Sequence, residues 1–208
     1  RFDESEASLR QAITLKPDFA EAHSSLGVTL KRLGRLDEAE ASYTQAIALK
    51  PDYAEAYNNL GNMHQELDRF DESEASLRQA ITLKPDYAEA HCSLGVTLNR
   101  LDRLDEAEAS LRQAITLKPD YIKAHINLLK YLYLLDKESL FVAELDYLIN
   151  QDEANAVTGS LTCRSELKYG LEKPNLFCRE PLKYVLHIEN PNDEINTVIE
   201  NYSELEDS

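Results

Sequence analysis

The sequence has little that would support catalysis, redox chemistry or a membrane span. It contains no tryptophan and only six glycines, and its three cysteines (Cys92, Cys163 and Cys178) lack the C-x-x-C spacing of a zinc or redox motif. No apolar run approaches the roughly 20 residues of a transmembrane helix, and residues 1–20 show no signal-peptide pattern. These absences predict a cytoplasmic protein with no cofactor and no membrane contact.

Basic residues are also scarce. The 38 acidic residues outnumber the 22 basic ones and give a formal net charge of -16. Nucleic acid is bound mainly by clustered lysine and arginine, so this charge argues against a nucleic-acid partner. The remaining composition is rich in alanine, leucine and glutamate, which is typical of a helix-rich soluble protein.

What the sequence does have is a repeat of 34 residues. The segments PDFAEAH, PDYAEAY, PDYAEAH and PDYIKAH begin at Pro17, Pro51, Pro85 and Pro119. Between the prolines, apolar residues recur at spacings of three and four, which predicts two amphipathic helices in each unit. Each helix is expected to start at a capping box, an aspartate followed three residues later by a glutamate. These aspartates are Asp18, Asp37, Asp52, Asp71, Asp86 and Asp105.

The repeat resembles the tetratricopeptide repeat. In the unit at 51–84 the motif positions of that family are held by Tyr57, Leu60, Gly61, His64, Ser73, Leu77 and Ala80, followed by Pro85. Ser73 stands where the family usually has alanine, and Leu77 where it has an aromatic residue. The resemblance implies an all-α fold, a right-handed α-α superhelix of antiparallel helix pairs, with a less regular C-terminal segment.

The same register predicts the domain organisation. Residues 1–16 form the second helix of a truncated repeat, because their sequence recurs letter for letter at 69–84. The chain is therefore expected to be a fragment, with the apolar side of residues 2–13 open. Full repeats are predicted at 17–50, 51–84 and 85–118. A degenerate capping repeat at 119–152 is followed by a C-terminal helix and a mixed tail at 153–208.

Nothing in the sequence predicts catalytic or metal-binding residues. His23, His91 and His125 occupy one repeat position, and equivalent atoms of neighbouring hairpins lie roughly 10 Å apart, too far to share a metal ion. We interpret these histidines as packing residues. His187 and Glu189 resemble half of an iron-binding facial triad, but no second histidine follows them. The protein is accordingly expected not to be an enzyme.

The candidate binding residues follow from the resemblance, which implies that the first helix of each hairpin lines a concave groove. Asn58, Asn59 and Asn62 gather in one turn, and amides can both donate to and accept from an extended peptide backbone. We interpret Glu21, Glu55 and Glu89 as helix-capping residues rather than as ligand contacts. The predicted peptide-groove residues are Asn58, Asn59, Asn62, Gln65, Ser93, Asn99, Arg100, Lys123, Asn127 and Lys130.

The main hypothesis is an interaction module that binds a protein, either a peptide or a partner helix, in this groove. An alternative is a substrate-recruiting or structural arm of a larger enzyme, a glycosyltransferase, sulfotransferase or 2-oxoglutarate oxygenase. The repeats resemble those of O-GlcNAc transferase, and the stretch KPNLFCREPLKYVLHIENP resembles the joint before a C-terminal enzyme domain. A second alternative is a self-assembling scaffold, a homo-oligomer that forms through exposed repeat ends.

Overall fold

The computed structural model describes residues 2–151, 162 and 168–170. Within them the chain is all-α, with nine helices and no strand, which confirms the predicted fold class. The helices are α1 (Phe2–Leu15), α2 (Ala20–Arg32), α3 (Leu36–Leu49), α4 (Ala54–Glu66), α5 (Phe70–Leu83), α6 (Ala88–Arg100), α7 (Leu104–Leu117), α8 (Ile122–Leu134) and α9 (Glu138–Asn150). Apart from residues 162 and 168–170, the predicted tail at 153–208 lies outside the described residues.

The chain divides into two compact units, residues 1–124 and 125–208. In the first unit α2 pairs with α3, α4 with α5 and α6 with α7, and α1 packs on α2. The first helices also contact one another, α2 with α4 and α4 with α6. The first unit is therefore a helical repeat solenoid with its first helices side by side in one layer.

A repeated turn joins the two helices of each hairpin. After α2, Gly34 has a φ of 74°, and Asp68 and Asp102 hold the same left-handed conformation after α4 and α6, with φ of 55° and 59°. The Arg35 N–H then donates to the Leu30 carbonyl (3.0 Å), which is the hydrogen bond of a Schellman motif. α2, α4 and α6 thus end in the same turn, and this turn sets the direction in which the second helix of each hairpin begins.

Close approach of the paired helices depends on glycine. A Cβ built on Gly61 would lie 2.7 Å from Leu77 Cγ, and one built on Gly27 would lie 2.7 Å from Tyr43 Cε1. Gly95 meets Leu111 at the same distance. Tyr43, Leu77 and Leu111 are almost fully buried. The absence of a Cβ on each glycine therefore leaves room for a buried side chain of the paired helix.

The predicted aspartate caps are wrong. The residue before α4 is Tyr53 and the residue before α5 is Arg69, and neither makes a side-chain capping hydrogen bond. The Tyr53 N–H donates to the Lys50 carbonyl (3.1 Å), so the chain turns through Asp52 before the helix begins. Asp71 lies inside the first turn of α5, where its charge complements the helix dipole without capping it.

Arginines just before the second helices tie successive hairpins together. Arg69 pairs with Glu40 of α3 (2.8 Å) and with Glu72 of its own α5 (2.9 Å). Arg35 makes the same two contacts with glutamates of α1 and α3, and Arg103 with glutamates of α5 and α7. We call these contacts the arginine bridge. It recurs unchanged in each of the three hairpins.

The second unit contains most of α8 and all of α9, and larger side chains pack these helices. Leu129 stands where the regular hairpins have glycine and Leu145 where they have Leu77 or Leu111, and both are fully buried. His125 stacks on Tyr147 with a centroid distance of 4.2 Å and pairs with Glu144. Aromatic and leucine packing here replaces the glycine contact of the first unit.

Candidate functional site

The best candidate site is the outer side of the layer formed by α2, α4 and α6. It carries Ser25 and Val28 on α2, the equivalent Asn59 and Asn62 on α4, and Val96 and Asn99 on α6, of which Val96 is the equivalent of Val28 and Asn62. All six are at least partly exposed. They lie three residues apart on their helices, a spacing that places side chains on one face. We call these six residues the first-helix face.

Most charged groups beside this face are already paired. Glu21 binds Lys50 (3.0 Å), Glu55 binds Lys84 (3.2 Å) and Glu89 binds Lys118 (3.3 Å), so each hairpin closes its open end with one ion pair. The same lysines lie over aromatic rings, as Lys50 does over Tyr53 at 4.7 Å. The hydrogen bond from Lys50 lowers the pKa of Glu21.

These pairs explain the glutamates differently from the sequence interpretation. Each of the three carboxylates joins the first turn of one helix to the last residue of its hairpin, instead of completing a capping box. Lys31 and Glu66 make a further pair across α2 and α4 at 2.8 Å. The three glutamates, which could otherwise bind a basic ligand, are therefore already paired with lysines of the protein.

The asparagines of the face are not engaged. Across the part of the chain that the structure describes, Asn59, Asn62 and Asn99 make no side-chain hydrogen bond or ion pair, and each is half-buried. An amide in this state presents two donors and an acceptor to whatever lies on the face. Asn59 and Asn62 sit one turn apart at the centre of the three helices.

Three other predicted groove residues are committed to the fold. Asn58 is 5% exposed and Ser93 is 8% exposed, so neither is on the surface. Gln65 Nε2 donates to the Ser93 carbonyl (2.7 Å) and to Thr97 Oγ1 (2.6 Å), which ties α4 to α6. The sequence could not reveal this, because the contact depends on which side of α4 meets the next hairpin.

The remaining predicted groove residues are cationic or lie in the second unit. Arg100 is exposed, with its guanidinium 5.9 Å from the centre of the Phe70 ring, and Lys123 is exposed. Asn127 and Lys130 are half-buried on the part of α8 that belongs to the second unit. Burial lowers the pKa of Lys130. The contribution of these four side chains to binding stays a prediction.

A buried polar pair was missed from the sequence. His64 is 5% exposed, and its Nε2 lies 3.1 Å from Glu40 Oε1, while its Nδ1 has no partner among the described residues. The other hairpins have Leu30 and Leu98 at this position. A histidine at a repeat position that is otherwise leucine was the feature of the sequence that could have predicted this buried pair.

His23 and His91 use their ring nitrogens within the fold. His23 Nε2 donates to the Pro17 carbonyl, and His91 Nε2 to the Pro85 carbonyl, both at 3.0 Å. Among residues 2–151, 162 and 168–170, no group of three or more His, Cys, Asp or Glu side chains is placed to hold a metal ion. No helix in that part of the chain is long and apolar enough to cross a membrane.

A second concavity is less suited to binding. It has a volume of about 450 Å³ and lies between α1, α2 and α3, lined by apolar groups together with Arg10, His23 and Gln45. Arg10 is paired with Glu6 and Glu38, and His23 is bound to Pro17. Arg10 and His23 are thus used internally, unlike the asparagines of the first-helix face.

Comparison with protein families identifies the repeat. A family described as tetratricopeptide repeat matches residues 52–120, and one described as TPR repeat matches residues 30–68. No match was found among curated protein sequences.

Solved structures share the fold. PilF of Pseudomonas aeruginosa is similar with a TM-score of 0.74 and 21% identity, over 81% of this chain and 77% of PilF. YrrB, described as a TPR protein with an unusual peptide-binding site, is similar with a TM-score of 0.67 and 19% identity, over 84% of this chain and 89% of YrrB. The first TPR of Spaghetti (RPAP3), bound to the HSP90 peptide SRMEEVD, is similar with a TM-score of 0.55 and 24% identity, over 56% of this chain and 93% of that structure.

Proposed function

The chain is a tetratricopeptide repeat protein, and from that premise we propose that its first-helix face binds an extended segment of another protein. The observation that carries the proposal is the contrast between paired charges and unpaired amides. The glutamates beside the face are tied to lysines, whereas Asn59 and Asn62 have no partner among the described residues. An extended backbone offers the donors and acceptors that these amides lack.

The position of the two asparagines adds to this support. Asparagine in the middle of a helix is roughly half a kcal/mol less favourable than alanine, so the fold alone gives no reason for two of them in neighbouring turns. The flanking helices have Ser25 and Val28 or Ser93 and Val96 at the same places. The amides therefore serve a purpose that the scaffold does not require.

Structural relatives point the same way. YrrB is described with a peptide-binding site and the Spaghetti repeat was solved with a peptide bound, so this fold can hold peptides. Recognition here rests on amides at the centre of the face, with Asn99, Arg100 and Lys123 at one end. Gln65 acts indirectly, because its hydrogen bonds to the Ser93 carbonyl and to Thr97 hold α4 against α6, and Asn58 is buried beneath the face.

The proposal is tested with the full chain and a displayed library of random peptides about twelve residues long, enough to cross three helices in an extended conformation. Selected peptides are synthesised, and their dissociation constants are measured by fluorescence anisotropy. Replacing Asn59 and Asn62 together by alanine should weaken binding at least about tenfold, because buried peptide groups lose their partners. Helicity measured by circular dichroism should stay unchanged.

Asn150→Ala is the matched control, because Asn150 is an exposed helical asparagine that belongs to the second unit and not to the face. It should leave the affinity unchanged. If the selected peptides bind the double variant as tightly as the parent chain, the amide mechanism is wrong.

The two alternative hypotheses stay predictions. No described residue favours the enzyme-arm hypothesis. For self-assembly, α1 has no fully buried residue, and its Leu15 side chain is 80% exposed. Light scattering over a range of concentrations would detect assembly, and a constant monomer mass would exclude it under those conditions.

A further inference from the structure

The first-helix face has an internal alternation that constrains its ligand. At one register its three helices carry Val28, Asn62 and Val96, and all three side chains are partly exposed. Val28 also packs against the core cluster that includes Met63, so its position on the face is fixed. The face therefore presents an apolar, a polar and an apolar site in a row.

The spacing of these sites follows from helix packing. α2 contacts α4 and α4 contacts α6, and the axes of packed helices lie about 8 to 10 Å apart. A polyproline II segment rises about 3.1 Å per residue with three residues per turn, so its residues i, i+3 and i+6 share one side about 9 Å apart. A β-strand of the same length turns residue i+3 to the opposite side, because its side chains alternate.

We propose that the first-helix face recognises a polyproline II segment with small apolar side chains at i and i+6 and a polar residue at i+3. This inference rests on the proposed function and names the class of ligand for the same site. The apolar residues lie over Val28 and Val96, and the polar residue lies over Asn62. Asn59, one turn away on α4, bonds to the ligand backbone, whose N–H and C=O groups are unused in this conformation.

The alternation also identifies Asn62 as the specificity-determining residue. Proline at i and i+6 is accepted, since proline has no N–H to satisfy and the valine sites offer no acceptor. An apolar residue at i+3 leaves the Asn62 amide covered and without a partner, which costs binding free energy. With valine in place of Asn62, the row becomes uniformly apolar and the preference should reverse.

The test uses three proline-rich peptides of ten residues. The matching peptide has valine at its second and eighth positions and glutamine at its fifth. The second has the same composition with glutamine moved to the fourth position, and the third has valine at all three positions. Each is titrated into the full parent chain and into the Asn62→Val variant, up to millimolar concentration.

The parent chain should bind the matching peptide at least about fivefold more tightly than either other peptide, given the cost of an unpaired buried amide. Asn62→Val should prefer the all-valine peptide instead. The variant should fold, because Val28 and Val96 occupy the same helix position. Equal affinity for all three peptides, an unchanged preference in the variant, or no binding of any peptide would overturn the inference.

Failure here is distinguishable from failure of the proposed function. Library peptides that depend on Asn59 and Asn62 but alternate with a period of two, as a β-strand does, would leave the proposed function standing and refute the polyproline II ligand. Library peptides that ignore both asparagines would refute the proposed function itself.

Discussion

The hairpin of α4 and α5 differs from its two neighbours mainly in its first helix, since α5 departs from α7 only at Phe70 and Ser73. α2 and α6 have the same residue at all but two positions, Ser24 against Cys92 and Lys31 against Asn99. α4 shares only the alanines, the glutamate, the leucine and the glycine with them. Its remaining positions bring in Asn59, Asn62 and the buried His64.

The parts that do not change are those that position one hairpin on the next. The left-handed turn, the arginine bridge and the glycine contact recur in all three hairpins. The parts that change lie on the first-helix face and in the packing beneath it. The scaffold and the chemistry of the face are thus separable, and Gly61→Leu and His64→Leu below test that separation within the α4–α5 hairpin.

The largest expected effect comes from breaking the shared scaffold. Gly61→Leu should lower the free energy of unfolding by roughly 1 to 3 kcal/mol, because added bulk meets Leu77 and the Ser73 carbonyl, which is 3.2 Å from the position of a Cβ. Urea denaturation followed by circular dichroism measures the change. An unchanged midpoint would show that the helices can separate at no cost.

Gly34→Asp is the matched control for that substitution. Nothing lies within 4 Å of a Cβ on Gly34, and aspartates occupy the same left-handed position after α4, α6 and α8. The variant should have a stability close to that of the parent. A loss as large as that of Gly61→Leu would indicate that any change at a glycine is damaging.

The fold was largely predictable because its causes are local and periodic. The 34-residue spacing, with apolar residues recurring at three and four within it, predicted two helices in each repeat, and the structure confirms them. The aspartate caps failed for two reasons. The chain turns through Asp18, Asp52 and Asp86 before the first helices begin, whereas Asp37, Asp71 and Asp105 already lie in the first turn of the second helices. A spacing of three from aspartate to glutamate does not show where a helix starts.

The site was less predictable, because exposure depends on contacts between hairpins. Asn58, Asn59 and Asn62 look alike in the sequence, but Asn58 is buried and its Oδ1 accepts no hydrogen bond within the described residues. Gln65 carries an amide like the predicted ligand contacts, but it donates hydrogen bonds from α4 to α6 within the fold. Only the packed structure separates the amides that face outward from those that do not.

A smaller effect is expected from making the core of α4 resemble its neighbours. His64→Leu should raise the free energy of unfolding by about 1 kcal/mol, because it removes a buried nitrogen without a partner and restores the leucine of α2 and α6. Glu40 keeps its partner Arg69. Thermal unfolding at pH 7 measures the change.

Peptide affinity should be unchanged in the same variant, since His64 lies beneath the face and not on it. A lower melting temperature would mean that the contact of His64 with Glu40 stabilises the hairpin more than leucine packing does.

The smallest expected effect concerns the arginine bridge, which the three hairpins share. The hydrogen bond from Arg69 lowers the pKa of Glu40 against the opposite effect of partial burial, and it also lowers the pKa of Glu72. Carboxylates whose pKa is lowered by folding stabilise the protein above their unfolded pKa of about 4.3, and the stabilisation disappears as the pH falls through the folded value.

Arg69→Gln should therefore lower the melting temperature slightly at pH 7, and the difference from the parent should shrink as the pH falls below about 4.3 and the glutamates become protonated. The decrease is small because the pairs are largely exposed, and added salt should reduce it further. Arg35→Gln and Arg103→Gln should behave in the same way, since their bridges have the same geometry. A larger effect for Arg69 alone would show that the buried His64, which shares Glu40, couples the bridge to the α4 core. In that case the scaffold and the face would not be separable in this hairpin.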